Sequence, residues 1–462
     1  MKKINLYIFI FLSLFVFTQC NYKLDEPVPQ QSFTTDIALS TPEGVQNAVV
    51  GVYGIIAGSA LYGESIQMAS DLVGASDDFN WRGTFFAQRD LRNKNMVADN
   101  GIATATWITA YRAINAANNV IDKINVITNI TDRNTARGEV LFLRALCHFD
   151  LVRLYAQPWD ATGANTGLGV PLMLKANNFE KVSRNSITEV YAQVIQDLQN
   201  AEILLPTTNN NKATTFAAKA LLARVYLQQG NYTQALTKAN EVIQSGSYVL
   251  GTDVNTVFDG NNTSEAIFEI QQNSVNNAGQ TNSGLATFYS NQTGIGRADM
   301  EIRAEHLALY TAGDKRRNDL FYVGTGNKPG EQACGKWKSP VKNYNIIRLA
   351  EMYLIRAECN ARNNTSIGAT ALADINTIRN RAGLTNLTTV TLNNILFERR
   401  LELCFEGHRL HDLKRLKQNI VILNGTTTVV TTTFTYDSPK AVLPIPLREI
   451  NVNNNLVQNP GY

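Results

Sequence analysis

The residues from Ala217 to Leu236 read AAKALLARVYLQQGNYTQAL, and this stretch decides the fold. Its small residues would let two helices approach each other closely. Gly230 can adopt the left-handed conformation that ends a helix, and Tyr232 can pack back over the turn that follows. The stretch therefore predicts two antiparallel helices joined by a tight turn.

This hairpin resembles a tetratricopeptide repeat, in which such helix pairs stack into a scaffold. A related pattern recurs at Ala350–Glu358, followed by residues 371–382. Apolar residues three and four apart predict further helices. They cover residues 104–127, 134–157, 186–204 and 213–229. The fold class is expected to be mainly α.

Two regions lack long helical patterns and are predicted to be rich in loops. Residues 245–342 contain many Asn, Gly, Thr and Gln, with short apolar runs such as Ala266–Ile270 that predict a few short strands. A second such region extends from Asp71 to Ile102. Because scaffolds often carry their binding groups on long loops, these regions are expected to be functional.

The first residues are typical of a secreted lipoprotein. Met1-Lys2-Lys3 precedes an apolar run from Ile4 to Phe17 that is too short to span a bilayer, and Cys20 follows. Residues 1–19 are thus predicted to be a signal peptide, and Cys20 the site of lipid attachment that holds the chain to the membrane. The formal net charge is only +3, without basic blocks, so nucleic acid is not an expected partner.

The sequence contains none of the usual catalytic motifs, and no catalytic residue, metal or cofactor is expected. Asp77-Asp78 could in principle serve as the carboxyl pair of a glycosidase, but adjacency does not provide the required separation. His408, His411 and Asp412 share a helix face, yet a structural role is expected for them. The cysteines other than Cys20 are expected to be buried free thiols, and they are Cys147, Cys334, Cys359 and Cys404.

The C-terminal third resembles a known family. Residues 398–409 read ERRLELCFEGHR and residues 412–415 read DLKR, which is similar to the signature helix of the SusD/RagB family. The ending from Leu443 to Tyr462, the segment Arg137–Ala145 and the segment Leu24–Pro27 extend this resemblance along the mature chain.

The resemblance implies a single-lobed SusD-like fold with tetratricopeptide-like helix pairs, long loops and a few short strands. Residues 20–244 would form the N-terminal region, and residues 245–462 the C-terminal region with the loop-rich insert and signature helix. The resemblance also implies a non-enzymatic, surface-exposed lipoprotein of the outer membrane, and Asp25-Glu26 is similar to a surface-export signal. Such a protein would bind a glycan and deliver it to a SusC-like TonB-dependent barrel.

The expected ligand-binding residues are aromatic and polar side chains in the loops, since sugars stack on flat rings and bond to nearby polar groups. The best candidates are Asp78, Phe79, Asn80, Trp81 and Arg82, with Tyr289 (beside Phe288) and Trp337 completing the surface. Phe85 and Phe86 are instead expected in the core. So are the aromatic residues at helical spacing, namely Tyr111, Phe142, Phe149, Tyr155, Tyr226 and Tyr353.

Two alternatives remain open from the sequence. One is a peptide-binding subunit of a peptide-importing, RagA-like complex. The other is a purely structural protein whose tetratricopeptide-like pairs bracket a partner. Stacked rings flanked by amides favour a glycan, whereas an open groove with free backbone groups would favour a peptide.

Overall fold

The computed structural model describes residues 35–176, 180–279, 282–423 and 427–462. The predicted signal peptide, Cys20 and Asp25-Glu26 lie outside these ranges. Of the described residues, 50% are helical and 8% are in strands, which confirms the predicted mainly α fold. Within the described ranges, no helix is both long and apolar enough to cross a membrane.

Residues before position 245 form nine α-helices in the described part, with a 3-10 turn at Ile124–Val126 and one short strand, β1, at Phe79–Trp81. The helices are α1 Thr35–Ala38, α2 Pro42–Ala57, α3 Ser65–Gly74, α4 Phe86–Asn93, α5 Gly101–Asp122, α6 Ile130–Tyr155, α7 Ile187–Leu204, α8 Thr215–Gln229 and α9 Tyr232–Gln244. Helices α5 to α9 pack one on the next along the chain.

The hairpin of α8 and α9 is present as predicted. The Thr214 hydroxyl accepts a hydrogen bond from the N–H of Ala217 and caps α8. Gly230 ends α8 with φ +72°, and its N–H donates to the carbonyl of Leu227 at 3.1 Å. Asn231 then caps α9 by accepting from the N–H of Gln234. Each cap satisfies backbone groups that a helix end leaves open.

Residues 245–348 form an insertion of short elements, as the sequence predicts. These are α10 Thr256–Asp259, β2 Ala266–Ile270, α11 Leu285–Tyr289, β3 Met300–Ile302, α12 Ala304–Leu307, α13 Lys315–Asp319, β4 Phe321–Val323, β5 Gln332–Cys334 and β6 Tyr344–Arg348. The strands pair antiparallel in twos, β1 with β3, β2 with β6 and β4 with β5.

The chain then returns to helices, which are α14 Leu349–Asn363, α15 Ala371–Arg381, α16 Leu392–Glu402 and α17 Arg409–Arg415, followed by β7 Ile420–Leu423, β8 Val430–Phe434 and α18 Leu447–Val452. Strands β7 and β8 form a hairpin of their own. Helix α14 packs on α9, so the helical stack continues across the insertion. One hydrophobic cluster contains residues from Leu39 to Leu456 and joins both parts in a shared core.

The region from Asp71 to Ile102 is less irregular than predicted. It includes the end of α3, strand β1, all of α4 and the start of α5. Helix α4 buries only Gln88 and Leu91, and this stripe is too short to give a recognisable helical period in the sequence.

Buried ion pairs fasten the segment that carries the signature sequence. Glu402 lies within ion-pair distance of Arg316, Arg348 and Arg381, and Glu406 pairs with Lys336 and Arg348. The cysteines at 147, 334, 359 and 404 are free and buried, as predicted.

Candidate functional site

Strand β1 places the candidate residues at the edge of the insertion. It pairs with β3 in the register Phe79 opposite Ile302, Asn80 opposite Glu301 and Trp81 opposite Met300. Side chains alternate across a strand, so Phe79 and Trp81 point to one side and Asn80 to the other. The strand therefore divides the predicted residues between two environments.

Trp81 is half-buried at the end of this strand. Its ring lies 5.9 Å from that of Phe288, centroid to centroid, and the planes meet at 35°. A Cβ on Gly83 would lie 2.5 Å from Cζ2 of Trp81 and 2.7 Å from Oδ2 of Asp299, so a larger residue here would have to displace these side chains. The indole N–H is buried without a hydrogen-bond partner among the described residues, unlike that of a well-satisfied core tryptophan.

Two phenylalanines extend the aromatic surface beyond Trp81. Phe85 is half-buried and meets Phe288 edge to face at 6.1 Å, while the Arg297 guanidinium stacks 4.4 Å above its ring. Phe86 is 68% exposed, which corrects the expectation that it belongs to the core. Arg89 stacks 4.5 Å above the Phe86 ring from the next turn of α4.

We call this surface the aromatic platform, and it consists of Trp81, Arg82, Phe85, Phe86, Arg89 and Arg297. Three of its members are rings and three are arginines. Such a surface combines apolar faces with charged donors that can reach a bound molecule at its edge.

Polar contacts hold the loops beneath the platform. Arg82, whose side chain is 45% exposed, pairs with Glu331 at 3.2 Å. The Lys328 ammonium donates to the carbonyls of Arg82 and Ala298 at 3.2 and 2.8 Å. The Arg297 Nε donates to Asp299 at 2.9 Å. These contacts tie the loop after β1 to the segments before β3 and β5.

Asp78 and Asn80 serve the framework rather than the surface. Asp78 is 3% exposed and lies 2.8 Å from Nδ1 of His306 and 2.5 Å from Nη2 of Arg400. Burial would raise the pKa of Asp78, but attraction to His306 and Arg400 outweighs burial and lowers it. A general acid needs the opposite shift, so this carboxylate is not arranged to act as the general acid of a glycosidase. The buried Asn80 amide accepts from Arg303 at 2.7 Å and donates to Glu301 at 3.1 Å.

Phe79, Tyr289 and Trp337 lie in the core, which corrects the expectation that they line the binding surface. Phe79 and Tyr289 are 0% exposed, and Trp337 is 2% exposed. The Tyr289 hydroxyl donates to Asp71 at 2.6 Å, and the Trp337 indole donates to the Phe405 carbonyl at 2.8 Å. The polar groups of Tyr289 and Trp337 are thus satisfied inside the protein, and none of the three rings is available for stacking.

The signature segment has the structural role predicted for it. Asp412 forms ion pairs with Arg399 and Arg415, and burial lowers the pKa of His408 to about 3, so its ring is neutral. Among the described residues, no group of three or more His, Cys, Asp or Glu side chains could hold a metal ion. Arg409 of the same segment is less firmly held, since its ion pair with Asp77 is long, at 3.7 Å, and partly exposed.

The sequence did not reveal Phe86, Arg89 or Arg297 as platform residues. The spacing of Phe86 and Arg89 by three is visible in the sequence and could have suggested stacking on a helix. Arg297 lies more than two hundred residues from Phe85, and nothing local connects them.

Two family models match this chain. A model described as "SusD family" matches residues 331–462, and one described as "Starch-binding associating with outer membrane" matches residues 24–227.

Similar proteins span most of the chain. "SusD-like protein P2" of Formosa agariphila is 28% identical, over 91% of this chain and 93% of its own length. "Starch-binding protein SusD" of Bacteroides thetaiotaomicron is 26% identical, over 72% of this chain and 74% of its own. A crystal structure of a SusD superfamily protein from Bacteroides thetaiotaomicron superposes with a TM-score of 0.82 at 28% identity, covering 91% of this chain and 100% of that one.

Proposed function

This chain belongs to the SusD/RagB family, and on that premise we propose that it is a cell-surface lipoprotein that binds oligosaccharides or polysaccharides and delivers them to a SusC-like TonB-dependent outer-membrane transporter. The protein acts by binding and not by catalysis. A relative named as a starch-binding protein, and a family model described by starch binding and association with the outer membrane, support the proposal.

The aromatic platform is the observation that carries the carbohydrate-binding part. Sugar rings expose apolar C–H faces, which stack on aromatic rings and exclude water from both surfaces. Phe86 offers a largely exposed ring, and Trp81 and Phe85 offer half-buried ones. The arginines beside them can donate hydrogen bonds to the hydroxyls around a stacked sugar.

The platform is also held in place before a ligand arrives. Trp81 and Phe85 both pack against the fully buried Phe288, and Arg297 is fixed by Asp299 as well as by the Phe85 ring. Restricting the rings in the free protein reduces the entropy lost on binding. A glycan therefore meets a preformed surface.

The membrane part of the proposal rests on Cys20 and on the family. An acylated Cys20 would hold the protein at the membrane, where it could stay beside a barrel partner. Delivery then requires that the ligand pass from the platform to the transporter.

The experiment is calorimetric titration of the purified full-length protein with a panel of neutral oligosaccharides and of unmodified peptides. Phe86→Ala is the leading variant, because its ring is exposed and its loss should leave folding nearly unchanged. If the ring is a binding hot spot, its removal should weaken oligosaccharide binding by about 2 kcal/mol, or roughly thirtyfold. Trp81→Ala should weaken binding too, and should also lower the melting temperature because it removes a contact with Phe288.

Phe216→Ala is the matched control. Phe216 is a phenylalanine on α8 with a cationic partner three residues later, Lys219, whose Nζ lies 5.9 Å from the ring. Its removal should leave binding unchanged. Oligosaccharide binding that survives both Phe86→Ala and Trp81→Ala would refute the platform, and tight binding of peptides alone would favour a peptide-importing complex.

A further inference from the structure

A small cavity lies beside the signature segment, away from the aromatic platform. Its volume is about 260 Å³, and its walls come from α16, α17 and the chain between α3 and β1. Asn393, Phe397 and Gln418 are exposed at its mouth, and Phe397 is 42% exposed. The cavity shares no residue with the platform.

Four arginines line this cavity, and one of them is fully committed to carboxylates. Arg415 donates through Nε to Asp412 at 2.7 Å and through both terminal nitrogens to Glu358 at 2.6 and 2.8 Å. Each nitrogen of its guanidinium group already donates to a carboxylate, and Arg415 serves to anchor α17 against α14.

The other three arginines keep donors unused. The Arg409 side chain makes no hydrogen bond to any residue in the described part of the chain, and its ion pair with Asp77 is 3.7 Å long. Arg399 is only 2% exposed, yet its Nη1 has no partner among the described residues. The Nε of Arg400 is likewise buried and unpartnered there, while its Nη2 bonds to Asp77 and Asp78.

Among the residues that line the cavity itself, guanidinium groups outnumber carboxylates, while Asp77, Glu351 and Glu358 pair with the same arginines from outside the lining. Asp78 and Asp412 are the carboxylates among its lining residues, against four guanidinium groups. Asp78 also neutralises His306, and Asp412 is shared between Arg399 and Arg415. His408 in the wall is neutral at physiological pH, since burial lowers its pKa to about 3. A buried guanidinium donor without an acceptor costs free energy that an incoming anion would recover.

We propose that this cavity binds a small oxyanion, either a tetrahedral sulfate or phosphate or the carboxylate of a sugar-sized acid. Guanidinium groups match the geometry of such oxyanions through paired N–H donors. A cavity of about 260 Å³ is below the usual range for drug-sized ligands and accommodates an ion or a single sugar ring, but not an oligosaccharide. The proposal is independent of carbohydrate binding at the platform.

The test is calorimetric titration of the purified full-length protein with sodium sulfate, sodium phosphate, glucuronate and glucose, with ionic strength held constant by chloride. Saturable binding of at least one of the three anions is expected, and none of glucose. Tight sulfate or phosphate binding would identify a tetrahedral anion, and preference for glucuronate would identify a sugar acid. Arg409→Gln should weaken that binding at least tenfold, because it removes the least committed guanidinium.

Arg448→Gln is the matched control, since the Arg448 side chain is 68% exposed and, among the described residues, pairs only with the adjacent Glu449 at 3.4 Å. It should bind the anion as the unsubstituted protein does. Asn393→Trp provides a second variant that does not touch the charged wall, because a large ring at the exposed mouth should block entry without affecting the melting temperature. The proposal is overturned if no anion binds saturably, if Arg409→Gln and Asn393→Trp bind undiminished, or if Arg448→Gln loses binding equally.

Discussion

Replacing Gly230 tests whether the hairpin of α8 and α9 is closed by a strained turn. Gly230 has φ +72°, and a Cβ built on it would lie 2.8 Å from the Cβ of Ala161. Gly246, just beyond α9, has φ +66° and nothing within 4 Å of such a Cβ. The two glycines therefore share the backbone conformation and differ in the space around them.

The left-handed conformation costs a side-chain-bearing residue roughly 1 to 2 kcal/mol, and Gly246→Val should lose about this amount of unfolding free energy. Gly230→Val adds the overlap with Ala161. Overpacking of this kind costs typically about 1 to 3 kcal/mol, and the low end applies here because Ala161 is exposed and can move. Gly230→Val should thus lose roughly 2 to 3 kcal/mol in total.

The assay is differential scanning calorimetry of both variants beside the unsubstituted protein. Since unfolding entropy is about 2 cal/mol/K per residue, each 1 kcal/mol should lower the midpoint of a chain this long by roughly 1 °C. Gly230→Val should melt below Gly246→Val, and both below the unsubstituted protein. Equal midpoints for the two valine variants would refute the steric part, and an unchanged midpoint for both would refute the strain itself.

Three further predictions concern the membrane anchor and the buried charges. Cys20→Ala should release the protein from outer membranes in cells that lack the barrel partner, because the lipid would be lost. Cell fractionation and immunoblotting measure this release. If the variant still sediments with the outer membranes, Cys20 is not the anchor. Burial raises the pKa of Asp71 from 3.8 to about 7, so its contribution to stability is complete below pH 4 and is lost as the pH rises through 7. The unsubstituted protein should accordingly lose more melting temperature than Asp71→Asn between pH 5 and pH 8, and parallel profiles would count against the shift. Glu402→Gln should lose about 3 to 5 kcal/mol of unfolding free energy, since it leaves the buried Arg348 and Arg381 without their shared carboxylate. Glu305→Gln is the control. Its carboxylate is 37% exposed, so this substitution should change the unfolding free energy little.

The scaffold could be predicted from the sequence because its signals are local. The helices of the hairpin extend from Thr215 to Gln229 and from Tyr232 to Gln244, close to the predicted positions, and Gly230 adopts the expected backbone. Helix periodicity and caps depend on residues a few positions apart. The positions and ends of these helices can therefore be predicted from the sequence alone.

The binding surface could be predicted only in part because burial in the insertion depends on distant partners. Trp337 stands between two lysines in the sequence and looked exposed. The Lys336 ammonium is in fact buried, and it donates to Glu406 at 2.6 Å and to two carbonyls of the signature segment. A lysine satisfied in this way marks the core and not the surface, and the pairing cannot be inferred from neighbours in the sequence.

A second group of buried charges explains how the aromatic platform, which lies in a loop-rich region, can be rigid. Asp78 directly precedes β1, and it is fixed by His306 from α12 and Arg400 from α16. Trp81 lies three residues further along that strand, in register with Met300. Because a misplaced β1 would leave a buried carboxylate unpaired, alternative positions of the strand are costly. His306 and Arg400 thus help to fix where the Trp81 ring stands, and a ligand that stacks there does not need to order the strand first.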